Sequence, residues 1–96
     1  ARAALVTGGA SGIGLATVAL LARDGVKVAL NHLPGDERGL REVERLAGEG
    51  LPVISAPGDV SDPASTDEMV GRAVADLGRL DYLVNNAGTP ATATPI

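Results

Sequence analysis

Two sets of residues in this chain have the types and spacing to do chemistry. The first is the stretch "TGGASGIG" at residues 7–14, which follows an apolar run, Ala3–Val6, and precedes "LATVALLA". Glycine weakens strands and helices alike, so its concentration between one of each needs a reason. A loop at that place exposes the unpaired N–H groups of the following helix and the positive end of its dipole. Glycines let the backbone approach a ligand without Cβ atoms in the way, which is how phosphate groups are held. A tight turn that is merely rich in glycine is the alternative. The second set is polar and follows later apolar runs: Asn31-His32-Leu33, Asp59-Val60 and Asn85-Asn86-Ala87-Gly88.

Other chemistries are narrowed by what stands in the loop and what the chain lacks. A triphosphate loop needs Gly-Lys-Ser/Thr, and here Leu15 follows Gly14. The spacing Gly-x-Gly-x-x-Gly is not met either; the pattern is Thr7-Gly8-x-x-x-Gly12-x-Gly14. There is no cysteine, hence no disulfide frame and no thiolate chemistry. Basic residues are scattered as seven Arg and Lys27 on a chain of net charge −4, without the clustered basic face that nucleic acid requires. No apolar stretch approaches the roughly 18 residues needed to cross a bilayer, and no signal-peptide pattern opens the chain.

The elements that must position these residues can be read from periodicity. Ala3–Thr7 suits a buried parallel strand. Ile13, Ala16, Thr17, Leu20 and Leu21 recur at helical spacing, and Gly25 stops that helix. "KVAL" at 27–30 is a second strand, and "NHLPGDERG" reads as a loop punctuated by Pro34 and Gly35. Leu40, Val43, Leu46 and Ala47 mark one face of a second helix. "PVISA" at 52–56 is a third strand. The third helix opens at Asp62-Pro63, with Asp as cap and Pro in the first turn, or slightly later at a Ser65/Glu68 capping box. Met69, Ala73, Val74 and Leu77 form its buried stripe, and "YLVN" at 82–85 is a fourth strand. Strands alternating with helices in the order β-α-β-α-β-α-β imply a parallel α/β sheet with right-handed crossovers. With 96 residues there is one domain at most, and with Tyr82 as the sole aromatic residue its core is aliphatic.

In this order and setting, "TGGASGIG", "DV" at 59–60 and "NNAG" at 85–88 resemble the short-chain dehydrogenase/reductase family over essentially the whole chain. The stretch "NHLPGDE" is also similar to the acidic loop of its glucose/ribitol-dehydrogenase-like branch. The resemblance implies a Rossmann-type doubly wound parallel sheet, with residues 1–96 forming the N-terminal part of a single NAD(P)-binding domain. It implies an oxidoreductase that moves a hydride between nicotinamide and a small carbonyl/alcohol substrate, working as a cytoplasmic homo-oligomer. An inactive dinucleotide-binding module or sensor is the alternative. A methyltransferase-like nucleotide domain would carry an acid at the end of strand two and a different glycine pattern, and neither is present.

By the same resemblance, Gly8, Gly12 and Gly14 line the pyrophosphate and nearby ribose, with Ser11 and Ile13 contributing loop atoms. On that basis Gly14→Val should place methyl groups where the backbone meets phosphate. Asp59 accepts from the adenine amino group and Val60 lies along the adenine ring; for Asp59, helix capping upstream of Asp62 is the alternative. Asn86, Ala87 and Gly88 border the cofactor ribose, although Asn85 and Asn86 could instead tie loop backbone together.

Cofactor choice turns on the end of strand two, where an acid would bind the ribose 2′-OH and repel a 2′-phosphate. His32 occupies that position, so the repulsion is missing, although Asp36 and Glu37 follow closely. No Arg or Lys stands at Ser11 or Leu33, but Asn31 and His32 could donate hydrogen bonds to a phosphate. NADP is therefore favoured, with use of both cofactors open and His32 as a plain loop residue the alternative. The family's Ser and Tyr-x-x-x-Lys belong downstream of "NNAG", beyond Ile96, and Tyr82 cannot replace that Tyr because Asn86 stands four residues on. The chain begins without Met and its tail "TPATATPI" lacks periodicity, so both ends read as cut from something longer. "YLVN" is then expected to be an exposed apolar edge, prone to pair with another chain.

Overall fold

Four successive apolar residues with no polar face to turn outward need cover on both sides, and Ala3–Val6 receives it. The computed structural model describes residues 2–10, 12–86 and 92–95. In it β1 (Ala3–Val6) is fully buried along its length. The chain continues through α1 (Gly12–Arg23), β2 (Lys27–His32), α2 (Glu37–Gly48), β3 (Val53–Pro57), α3 (Pro63–Leu77), β4 (Tyr82–Asn85) and β5 (Thr92–Pro95). The sheet order is β3-β2-β1-β4-β5, with the first four strands parallel.

Strand pleating sends alternate residues to opposite faces, and each face has its own aliphatic core. Val6, Val28, Leu30, Val53 and Val84 meet Val18 and Ala22 of α1 and Leu46 of α2. Ala3, Leu5, Ala29 and Ala56 meet Met69, Ala73 and Leu77 of α3. Helices on both faces of a parallel sheet make this the doubly wound α/β fold that the alternating pattern implies.

Two expectations need correcting and one open choice is resolved. β2 runs two residues past "KVAL", so Asn31 and His32 belong to a buried strand end, not a loop. The edge of β4 is not open: Thr92–Pro95 pairs with it antiparallel, Asn85 opposite Thr92 and Tyr82 opposite Pro95. Thr and Ala alternating at 92–94 suit a strand, and the prolines around them hid that signal. At the start of α3 the choice resolves to Asp62, whose carboxylate accepts from Ala64 N–H. Ser65 serves another purpose, described below.

Candidate functional site

In an open parallel sheet ligands bind beyond the carboxyl ends of the strands, where the strand order reverses. Here β1 continues to β2 on one side, while β4 lies on the other. The turn after β1 sits at that reversal and is tied to both neighbours. Thr7 N–H donates to the Val84 carbonyl at 2.9 Å, and Thr7 Oγ1 accepts from Asn86 N–H at 2.9 Å. The Asn86 side-chain amide donates to the Gly8 carbonyl at 3.2 Å. From the β2 side, Asn31 Oδ1 accepts from Gly8 N–H at 3.1 Å, and the Asn31 carbonyl from Gly9 N–H at 2.9 Å.

Two glycines of the turn do different work. Gly12 opens α1 with φ +59°, a left-handed conformation that side chains resist, and a Cβ there would meet none of the described residues within 4 Å. Its face is open among the described residues, at the N-terminus of a twelve-residue helix. Gly14 is buried, and a Cβ there would lie 2.2 Å from the Gly8 carbonyl oxygen and 2.6 Å from Asn86 Nδ2. This corrects the expectation for Gly14→Val: added methyl groups would strike the protein's own loop before any phosphate. Ile13 beside them is largely exposed, with its carbonyl accepting from the Thr17 hydroxyl at 2.8 Å.

A cleft of about 330 Å³ opens next to this turn. Its walls come from the ends of three strands: Gly8 and Ala10 after β1, Asn31 to Leu33 and Asp36 around the end of β2, and Gly58 and Val60 after β3. Leu33 and Val60 present exposed apolar side chains to it.

His32 and Asn31 line the cleft but face inward. The Leu33 carbonyl can only accept, so His32 Nδ1 carries the proton and donates to it at 2.8 Å. Nε2 pairs with the Ser55 hydroxyl. α2 holds the ring down: a Cβ on Gly39 would come within 2.5 Å of His32 Cβ and Cγ. The Asn31 amide donates to the Ala56 and Gly58 carbonyls at 3.0 and 3.1 Å. The expectation that these two side chains offer hydrogen bonds to a phosphate is therefore corrected, because both already spend their donors inside the fold.

Asp59 stands at the rim beside Val60. Its Oδ1 accepts from the Ser61 hydroxyl at 2.7 Å and the Ser61 N–H at 3.0 Å, and together they hold the carboxyl below its ordinary range. Its own N–H donates to Ser65 Oγ at 2.9 Å. Asp59 thus shapes the turn leading into α3, while Asp62 caps the helix. Ser11, Ala87 and Gly88 lie outside the described residues. Tyr82 lies at the far end of the sheet, where its hydroxyl accepts from Arg2. Among the described residues no His, Cys, Asp and Glu gather as a metal site. No helix among them is long and apolar enough to cross a membrane.

A model of the short chain dehydrogenase family matches residues 2–96. The chain belongs to that family. Among its short-chain dehydrogenase relatives, oxidoreductase YhxD of Bacillus subtilis is 43% identical over 88 residues, which is 91% of this chain and 29% of that protein. The 1-deoxy-11-beta-hydroxypentalenate dehydrogenase of Streptomyces avermitilis is 44% identical over 86 residues, 88% of this chain and 31% of that one. In structure it is similar to a dehydrogenase/reductase from Sinorhizobium meliloti (TM-score 0.85, 36% identity, 91% of this chain and 34% of the other). It is also similar to an actinorhodin polyketide ketoreductase variant determined with NADPH (TM-score 0.83, 34% identity, 93% and 34%). The chain thus spans about a third of the length of the short-chain dehydrogenases it matches.

Four roles in the site escape a reading of motifs: Thr7 as a junction, Ala10 and Gly58 as cleft wall, and Asp36 as a helix cap. For Asp36 a signal exists, since it follows the Pro34-Gly35 turn and precedes a helical stripe, the place for a cap. Its Oδ1 accepts from Arg38 N–H at 3.0 Å.

Proposed function

We propose that this chain supplies the adenosine- and diphosphate-binding part of an NAD(P)-dependent short-chain oxidoreductase acting on a carbonyl/alcohol pair. The observation that carries this is the turn at the strand reversal. It is held from β2 and β4, opens α1 through a glycine whose face is free, and adjoins a cleft walled by three strand ends. Such a turn offers helix N–H groups and a positive dipole end to a diphosphate. In this reading Gly8, Ser11, Gly12 and Ile13 border the diphosphate. Leu33 and Val60 flank the adenine, and the second oxygen of Asp59 accepts from its amino group. Gly14, Asn31, His32 and Asn86 hold the walls, and Ala87 and Gly88 border the ribose nearer the nicotinamide. When bound, the cofactor supplies a hydride to the substrate carbonyl or accepts one from the alcohol.

NADP is the cofactor we favour, with NAD also used. The β2 end carries an internally bonded imidazole in the place where an acid would repel a 2′-phosphate. Asp36, the acid on the cleft wall, commits one oxygen to capping α2 at the positive end of that helix. The full enzyme is proposed to be a cytoplasmic homo-oligomer, which fractionation and light scattering would check.

The test is titration of the full-length protein with NADPH, followed by nicotinamide fluorescence, and then a screen of carbonyl substrates for NADPH oxidation. Saturable binding with turnover is expected. Binding without turnover on any substrate would favour the sensor alternative, and no binding would refute the proposal.

A further inference from the structure

We infer that Asn31 is a positioning residue that sets the spacing between the glycine turn and the β3–α3 loop, and so tunes dinucleotide affinity without touching the ligand. The inference rests on the dinucleotide reading above. Asn31 is buried at the end of β2, directly between the two loops. Its Oδ1 accepts from Gly8 N–H at 3.1 Å, while Nδ2 donates to the Ala56 and Gly58 carbonyls at 3.0 and 3.1 Å. Met69 Sδ lies 2.9 Å from the same nitrogen and closes the pocket around the amide. A backbone N–H can only donate and a carbonyl can only accept, so these partners fix which end of the amide is oxygen.

No other side chain of this size meets that demand. Aspartate would keep the bond to Gly8 but turn a second oxygen toward two carbonyls. Leucine would fill the volume and leave the Gly8 N–H and both carbonyls without this partner. The amide therefore clamps Gly8, on the diphosphate side of the cleft, to Gly58, two residues from the adenine-facing Val60. A ligand that spans both loops needs that distance held, whereas one that sits on the adenine side alone does not.

This difference separates positioning from simple stability. In the full-length protein, Asn31→Asp should weaken NADPH and ADP by about tenfold, the scale of one net hydrogen bond. Adenosine, measured by competition with NADPH, should weaken by less than about threefold. If that variant does not fold, Asn31→Ser is read by the same ratio. Equal losses for ADP and adenosine would overturn the inference, since a merely structural role lowers both alike. Unchanged NADPH affinity in a folded variant would overturn it while leaving the dinucleotide reading intact. A wild-type protein that binds no NADPH would overturn both.

Discussion

The side-chain amide of Asn86 donates to the Gly8 carbonyl at 3.2 Å, and the missing side chain of Gly14 is what lets α1 approach that same carbonyl. The first turn of α1, the loop after β1 and the end of β4 thus meet at one point. Gly14→Ala should destabilise the protein by about 2 kcal/mol, because the new methyl overlaps backbone that cannot retreat. Chemical denaturation of the full-length variant checks this, and an unchanged midpoint would show that the helix can shift aside.

Gly12 is expected to behave differently. Alanine there meets no atom of the described residues but must adopt φ +59°, so Gly12→Ala should cost about 1 kcal/mol in stability. Its methyl would project into the space assigned to the diphosphate, and NADPH affinity should fall about tenfold or more. Paired denaturation and fluorescence titrations distinguish the two effects. Undiminished NADPH binding would remove the assignment of that space.

The main elements were legible because their signals are local. Apolar runs, helical spacing and the Asp62-Pro63 opening each act within a few residues, and the structure has strands and helices where they point. The glycine loop could be placed but not apportioned among its glycines. Gly12 faces open space and Gly14 faces Asn86, which lies at the end of a strand far along the chain. The inward turn of Asn31 and His32 was hidden for a similar reason. A polar pair after "KVAL" reads as loop, and its burial is explained by Ser55, Ala56 and Gly58, brought alongside by pairing of β2 with β3, and by Gly39 and Met69 of the covering helices.

Cofactor preference can be shifted at two positions of different kind. Asp36→Asn removes a charge from the cleft wall yet keeps a good helix cap, so stability should hardly change. The ratio of NADPH to NADH affinity should rise. His32→Asp should move the ratio toward NADH by about tenfold, by placing a carboxylate at the end of β2. Parallel titrations with both cofactors measure this, and a ratio unmoved in both variants would place the selecting residues elsewhere.

At the other end of the sheet, Asp81 joins the start of β1 to the approach to β4. Arg79 donates to its two oxygens at 2.6 and 2.8 Å, and Ala3 N–H donates at 2.9 Å. The Arg79 hydrogen bonds foremost, then that from Ala3, hold this carboxyl below its ordinary value of about 4. A depressed folded-state value means the unfolded chain binds the proton more readily. The stability it adds is therefore present above the unfolded-state value and is lost as pH falls through the folded one. Wild type should exceed Asp81→Asn in urea midpoint at neutral pH, with the gap closing as pH falls below the ordinary carboxylate range. A gap independent of pH would contradict this origin.

The two candidates for opening α3 also separate by mutation. Asp62→Ala should cost about 1 kcal/mol as a lost cap. Ser65→Ala should leave the cap intact but speed hydrogen exchange of the Asp59 amide, which loses its acceptor. Equal stability losses in both would return the capping box to consideration.

The most direct measurement is a co-crystal structure of the full-length protein with NADPH. The diphosphate should lie against the turn at residues 7–14, with the adenine ring between Leu33 and Val60. A dinucleotide held at any other edge of the sheet, with the space before Gly12 filled by the protein's own atoms, would contradict the account.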